Sequence, residues 1–263
     1  MNGGPATTRP APPRPASALR SVAALTAMEL RLAGRRSENV LVMLVIPVAV
    51  LLFFGGTSIL TFNGYPAATL VPGTIALGII AAGLVNLGIA TAYERHYGVL
   101  KRLGGAPLPR WGFVAAKLGA VLVIEAGQVA LIVLVGMVAF GWAPGAGWSP
   151  LTFVIALVLG TVTFVSLGLL LAGSLRAEAV LALANGLFLG FLMLGGIILP
   201  VAQLPELLQP VAALLPSAAL ADLLRFSLDP VFGFFGREPG SLVVLTTWAI
   251  LATALAIRRF RWD

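Results

Sequence analysis

The sequence predicts an all-α integral membrane protein. It has six transmembrane helices, amino and carboxyl termini both cytoplasmic, an amphipathic interfacial helix before the first span, and a short helical hairpin between the fifth and sixth. Three observations carry this prediction. Only 10% of the 263 residues are charged and 59% are hydrophobic, whereas a soluble domain carries about 25% charged residues. The apolar residues come in blocks, and a block of about 18 or more with few charges is long enough to cross a bilayer. The lysines and arginines lie between the blocks, almost all of them on alternate connections.

Residues 1–17 are rich in Pro, Ala, Thr and Arg and are expected to form a disordered cytoplasmic tail. They hold no apolar core of the length a signal peptide needs. Residues 18–263 form one transmembrane domain. The first block, about 40–60, contains Pro47, which packed membrane helices tolerate, usually with a kink. A polar turn separates it from the second block, about 70–91. A charged stretch from Tyr93 to Arg110 follows. The third block, about 111–140, holds Lys117 near its start and Glu125 inside it. A Gly/Pro/Trp turn leads to the fourth block, about 151–175, and only Arg176 and Glu178 separate that from the fifth, about 179–199. Between Pro200 and Gly240, six prolines divide short apolar runs. None of these runs spans a bilayer, so the region reads as a hairpin of short helices, re-entrant or lying at the outer surface. The last block is about 241–257.

Orientation follows from the basic residues. Arg9, Arg14, Arg20, Arg31, Arg35 and Arg36 precede the first span, and Arg95, Lys101, Arg102, Arg110 and Lys117 surround the second connection. Arg176, Arg258, Arg259 and Arg261 complete that side, whereas only Arg225 and Arg237 fall on the other. The asymmetry is 15 against 2, and the positive-inside rule places the richer side in the cytoplasm. The formal charge of +7 therefore records topology, where on a soluble protein it would raise nucleic-acid binding. With no cysteine in the chain, disulfides, thiol catalysis and Cys-ligated metal are excluded.

Two segments on the cytoplasmic side are amphipathic. In residues 18–36, Leu19, Val22, Ala23, Thr26, Leu30 and Ala33 share one helical face while Arg20, Arg31 and Arg35 gather on another. A helix of that pattern lies in the interface with its arginines toward anionic headgroups; a solvated extension is the alternative. Glu29 sits close to the apolar side and fits neither cleanly. In the second segment Tyr93, Tyr97, Leu100 and Leu103 form a stripe, with Glu94, Arg95, Lys101 and Arg102 away from it. Gly104, Gly105, Pro107 and Pro109 end the helix. Such an element can dock into a groove on a partner, or it can be a plain loop whose charges only set topology.

The run Glu94-Arg95-His96-Tyr97-Gly98-Val99-Leu100-Lys101-Arg102-Leu103-Gly104-Gly105-Ala106-Pro107-Leu108 resembles the cytoplasmic loop of ABC-2 type transporter permeases, the membrane subunits of drug, lipid and polysaccharide exporters. It keeps Glu94, Arg95, Gly98, Leu100, Leu103, Pro107 and Leu108 of the family pattern and departs from it at His96 and Val99. Gly195 to Pro200, Leu204-Pro205 and Leu214-Leu215-Pro216 are similar to the family's fifth-span end and hairpin. The closest likeness is to daunorubicin-resistance permeases. The resemblance implies that Glu94, Arg95, Tyr97, Gly98, Leu100, Lys101, Arg102 and Leu103 form a coupling helix that contacts a separate ATPase subunit. It also implies two permease halves, either two copies or a copy with a paralogue, in the inner (plasma) membrane.

The chain contains no G-x-x-x-x-G-K-[ST] stretch, so it carries no phosphate loop of its own. It is expected to bind no cofactor and no metal and to be a non-catalytic subunit, with ATP and magnesium held by the partner ATPase. His96, the single histidine, lacks companions at coordination spacing. Glu125 is the one carboxylate well inside a span, with Gln128 a turn away. An intramembrane ionisable residue is a functional candidate by default, and a hydrogen-bonded structural role is the alternative. Asn86 and Asn185 are weaker candidates of the same kind. Gly186 with Gly190, and Gly168 with Ala172, have the small-x-x-x-small spacing of helix seams. Trp142, Trp148 and Trp248 read as interfacial anchors. Two functions follow as expectations. One is the permease of an ATP-driven exporter for a hydrophobic or amphipathic, drug- or lipid-like compound. The other is a proton-coupled secondary transporter using Glu125. A membrane-embedded enzyme is disfavoured, since the loops carry no cluster of catalytic side chains. The Ala-, Arg- and Gly-rich composition suggests a GC-rich bacterial source.

Overall fold

The computed structural model describes residues 17–35, 37–57, 66–104, 109–229 and 238–259, and every regular element among them is helical. The expected tail (residues 1–16), the Gly105–Leu108 end of the loop motif, and the side chains of Arg102 and Leu103 lie outside the described residues. Helix α1 (Ala18–Arg35) precedes α2 (Ser37–Gly56). Helix α3 (Pro66–Ile80) continues through a π-helical stretch, Ala81–Leu87, into α4 (Gly88–His96), and α5 (Val99–Gly104) is short. Helices α6 (Arg110–Phe140), α7 (Pro150–Ser174) and α8 (Ala177–Leu194) follow. After a 3-10 turn come α9 (Gln209–Ala213), α10 (Pro216–Leu228) and α11 (Glu238–Arg259).

Among the described residues, five helices are long and apolar enough to cross a membrane: Ala67–His96, Arg110–Phe140, Pro150–Ser174, Ala177–Leu194 and Gly240–Arg259. The apolar part of α2, Leu41–Gly56, is a shorter sixth, and with its polar first turn α2 reaches about 30 Å at 1.5 Å per residue. The protein is thus a six-helix, multi-pass membrane protein. Helix α6, with 31 residues, is about 46 Å long, more than the roughly 30 Å hydrocarbon layer. Lys117 lies two turns from its N-terminal end.

The core lies between α3, α6, α7 and α10, where Ile75, Ile79, Phe164 and Leu220 are fully buried. Glycines let the second span approach its neighbours. A Cβ at Gly83 would stand 2.7 Å from the Val165 nitrogen, and one at Gly168 would collide with the Gly83 oxygen. Gly88 also lies against Gly168. Residues five apart diverge on an α-helix. The i→i+5 bonding of the π stretch widens the turn, so Gly83 and Gly88 both meet α7.

The described part of the 200–240 hairpin packs along the last span. Trp248, midway along α11, donates from Nε1 to the Leu214 carbonyl at 3.0 Å, while Ser241 near the start of α11 meets Asp222 at 3.5 Å. The α9–α10 segment therefore runs antiparallel to α11. Ser217 to Ala221 of α10 are buried. The outer end of α10 is tied to the α6–α7 turn, with Gly145 N–H donating to the Leu228 carbonyl at 2.8 Å and Ser149 N–H to that of Ser227 at 2.7 Å. Helix α8 ends at Leu194 rather than near Leu199, since Gly195 and Gly196 (φ +65°) turn the chain.

Candidate functional site at the inner face

The charged connection after the second span is two helices rather than one. Helix α4 carries Glu94 and Arg95 as its last turn; Tyr97 closes it, and Gly98 at φ +72° starts a new direction. Only glycine takes that left-handed conformation without strain. The break divides the motif's residues. Glu94 and Arg95 are held inside the protein. Arg95 donates from Nη2 to the Leu175 carbonyl at the C-terminal end of α7, satisfying an orphan helix carbonyl. Leu100 is fully buried and belongs to the apolar cluster that also holds Leu25, Phe113 and Ala116. Tyr97, 73% exposed and stacked on Tyr93 at 6.2 Å, Val99 and Lys101 face outward. His96 meets Tyr97 edge-on at 5.1 Å.

Three charges converge behind this connection. Lys117 of α6 is 1% exposed, and its Nζ lies 2.8 Å from Glu29 Oε1 of α1 and 2.8 Å from Glu94 Oε2 of α4. It also reaches Glu94 Oε1 at 3.1 Å. The Phe113 ring stands 5.6 Å from the ammonium, at cation–π distance. Helix α1 is seated on α6 by Leu25 and by the Thr26 hydroxyl, which lies 3.3 Å from the Ala116 carbonyl. This face differs from the one projected from sequence: Leu19 and Ala23 point away, while Val22, Leu25, Thr26 and Glu29 turn inward. The charge that fits the amphipathic pattern poorly is the one that pins the helix. Arg20, Arg31 and Arg35 are exposed.

Beside the cluster is a cavity of about 150 Å³ bounded by α1, α2, the π stretch, α4 and α6. Asn86 lines it and is otherwise exposed. Asn185 is also exposed and bonds its own helix at the Leu181 carbonyl, 2.8 Å away.

Deeper in the membrane, Glu125 and Gln128 are both buried. Gln128 donates to the Met43 carbonyl at 2.9 Å, tying α6 to α2 next to Pro47. The Thr161 hydroxyl stands between Glu125 Oε2 and the Leu157 carbonyl. Glu125 Oε1 has no hydrogen-bond partner. In the outer half, Arg225 of α10 is buried and donates to the Ile197 carbonyl at 2.9 Å, with Asp222 at 3.7 Å.

Sequence reasoning did not single out Lys117, Glu29, Thr161 or Arg225 as one would single out site residues. For the first two a signal exists: a lysine two turns inside an apolar helix and a glutamate on an apolar face each lack a local partner. Among the described residues, no group of three His, Cys, Asp or Glu is arranged to hold a metal.

The described residues thus form a bundle of apolar helices with a helical hairpin before the last span and a charged connection pinned to the bundle, the architecture of a polytopic membrane protein. Residues 20–228 match the ABC-2 type transporter family, and the chain belongs to that family. It is also similar to the protein named "Putative transport permease YvfS" of Bacillus subtilis (strain 168), with 24% identity over 199 residues that cover 72% of this chain and 78% of the relative.

Proposed function

We propose that the chain is the membrane subunit of an ATP-driven exporter, resident in the inner membrane, that moves a hydrophobic or amphipathic compound outward. ATP and magnesium are bound and hydrolysed by a separate ABC ATPase subunit. The observation that carries this reading is the family membership over residues 20–228, a span that includes the Tyr97–Lys101 surface between the second and third spans. That surface presents an aromatic, a β-branched residue and a cation away from the bundle. The sequence has no phosphate-binding loop, so energy must come from a partner. Movement of that partner against α5 would pass to the bundle through Leu100 and the Glu94–Lys117–Glu29 cluster.

Two permease copies would enclose the path. Helix α8 offers a seam: Gly186 and Gly190 are exposed with nothing near their Cβ positions. Gly168 and Ala172, by contrast, are buried inside the protomer and are unavailable to a second copy. The test is co-expression with the ATPase encoded nearest this gene, followed by purification and ATP-dependent uptake into inverted vesicles. Co-purification and ATP-dependent uptake are expected. A chain recovered without an ATPase, and transport indifferent to ATP, would overturn the reading.

A further inference from the structure

The inner-face cavity has a chemical bias of its own. Glu29 and Glu94 each bear a negative charge, while Lys117 supplies one positive charge, so the cluster carries a net charge of −1. The lysine ammonium has three N–H donors, whereas two carboxylates offer about eight acceptor positions, so acceptor capacity is in surplus. The carboxylates are 14% and 17% exposed, and apart from Asn86 the surrounding wall is apolar, with Met43, Val121 and Ile124 among its residues. An uncompensated charge in such surroundings is costly and favours a counter-ion.

The cavity volume, about 150 Å³, is of the order that admits a benzene-sized group. That suits a small headgroup and not a whole amphiphile. A second groove adjoins it, sharing Ala33 and Ile124 and continuing along Leu30, Leu41 and Leu44. Leu41 is turned away from the protein, so this groove opens toward the inner leaflet. Glu38 is the one charged side chain along this groove, which is otherwise apolar, so a charged end and a largely apolar channel lie in line.

We infer that this cavity, between α1, α2, α4 and α6, is a binding site for the protonated amine of an amphiphile whose hydrocarbon tail lies in the Leu30–Leu44 groove. The surplus of acceptors selects an ammonium bearing N–H groups over a quaternary one. The amine can belong to a soluble amphiphile or to the headgroup of an aminolipid; the chemistry of recognition is shared. The inference names the class of compound that the permease reading leaves open, and its transport meaning rests on that reading.

The experiment uses the full chain in phosphatidylcholine nanodiscs without any ATPase, with radiolabelled dodecylammonium as the probe. One saturable site is expected, with dodecanol and dodecyltrimethylammonium each at least tenfold weaker. Glu29→Gln removes the net charge and should weaken dodecylammonium binding at least tenfold. Ala90→Leu fills the cavity without touching the charges and should do the same, which keeps the test decisive if Glu29→Gln unseats α1. Replacing phosphatidylcholine with phosphatidylethanolamine separates the sources: competition identifies an aminolipid occupant, and its absence a soluble amine. Binding that does not saturate, that dodecanol matches, or that survives both substitutions would overturn the inference. Such a failure would leave the ATPase partnership untouched, since no ATPase takes part.

Discussion

Lys117 is held by two carboxylates from different helices, and removing it leaves both without their cation. Breaking a buried ion pair at one partner costs about 3–5 kcal/mol. Lys117→Met is therefore expected to lower the melting temperature of the detergent-solubilised protein by several degrees. The same methionine combined with Glu29→Gln and Glu94→Gln should recover most of the loss, because a neutral cluster needs no counter-charge; no recovery would show that Lys117 acts through packing alone. Glu125 behaves differently. The side-chain amide introduced by Glu125→Gln can donate to the Thr161 oxygen while the Thr161 hydrogen stays on the Leu157 carbonyl, so this substitution is expected to be nearly silent in stability and in ATP-driven transport. Loss of transport driven by a pH gradient in that variant would instead support the proton-coupled alternative. Helical projection places Glu29 beside the apolar stripe but cannot supply its partner, since Lys117 is distant in sequence and only the docking of α1 on α6 joins them. Thr161 is invisible for the same reason, being one of many threonines until α7 is set against α6.

Gly168 of α7 and Gly186 of α8 separate two kinds of helix contact. At Gly168 an added side chain meets the Gly83 backbone, which cannot move aside as a flexible side chain can. Gly168→Val should force α7 from the π stretch and destabilise the protomer by about 1–3 kcal/mol, the usual cost of overpacking, read as reduced yield and melting temperature. Gly186 has nothing within reach of a new Cβ, so Gly186→Leu should leave the protomer's melting temperature unchanged. If α8 forms the seam between copies, it should convert dimers to monomers in light scattering. Both glycines have the same small-x-x-x-small appearance in sequence, and only burial separates them. The spans themselves were legible because hydrophobic length is a local property. The π stretch was not, because it depends on how closely α7 approaches. The hairpin was legible as helical but not in depth: its prolines mark breaks, whereas the bond from Trp248 to Leu214 that fixes its position joins distant segments.

For the whole molecule, the decisive question is which side of the bilayer holds the pinned connection. The absence of cysteine makes single-cysteine labelling clean. Tyr97 and Lys101 project from the α4–α5 connection, and Ala146 is exposed in the turn between α6 and α7. The distribution of arginine and lysine puts the first two inside and Ala146 outside. With a membrane-impermeant maleimide, Ala146→Cys should be labelled on intact cells, and Tyr97→Cys and Lys101→Cys only on inverted vesicles. Adding the ATPase subunit should then protect Tyr97→Cys and Lys101→Cys, since both side chains lie on the surface proposed to carry the partner. Leu100 should stay unlabelled as Leu100→Cys in either case, because its site is filled by the bundle's own packing rather than by a second subunit. Protection at Tyr97 and Lys101 without change at Ala146 would tie energy input to one end of the bundle. Labelling of the α4–α5 connection from outside would invert the molecule and remove the physical basis for coupling through Leu100 and Lys117.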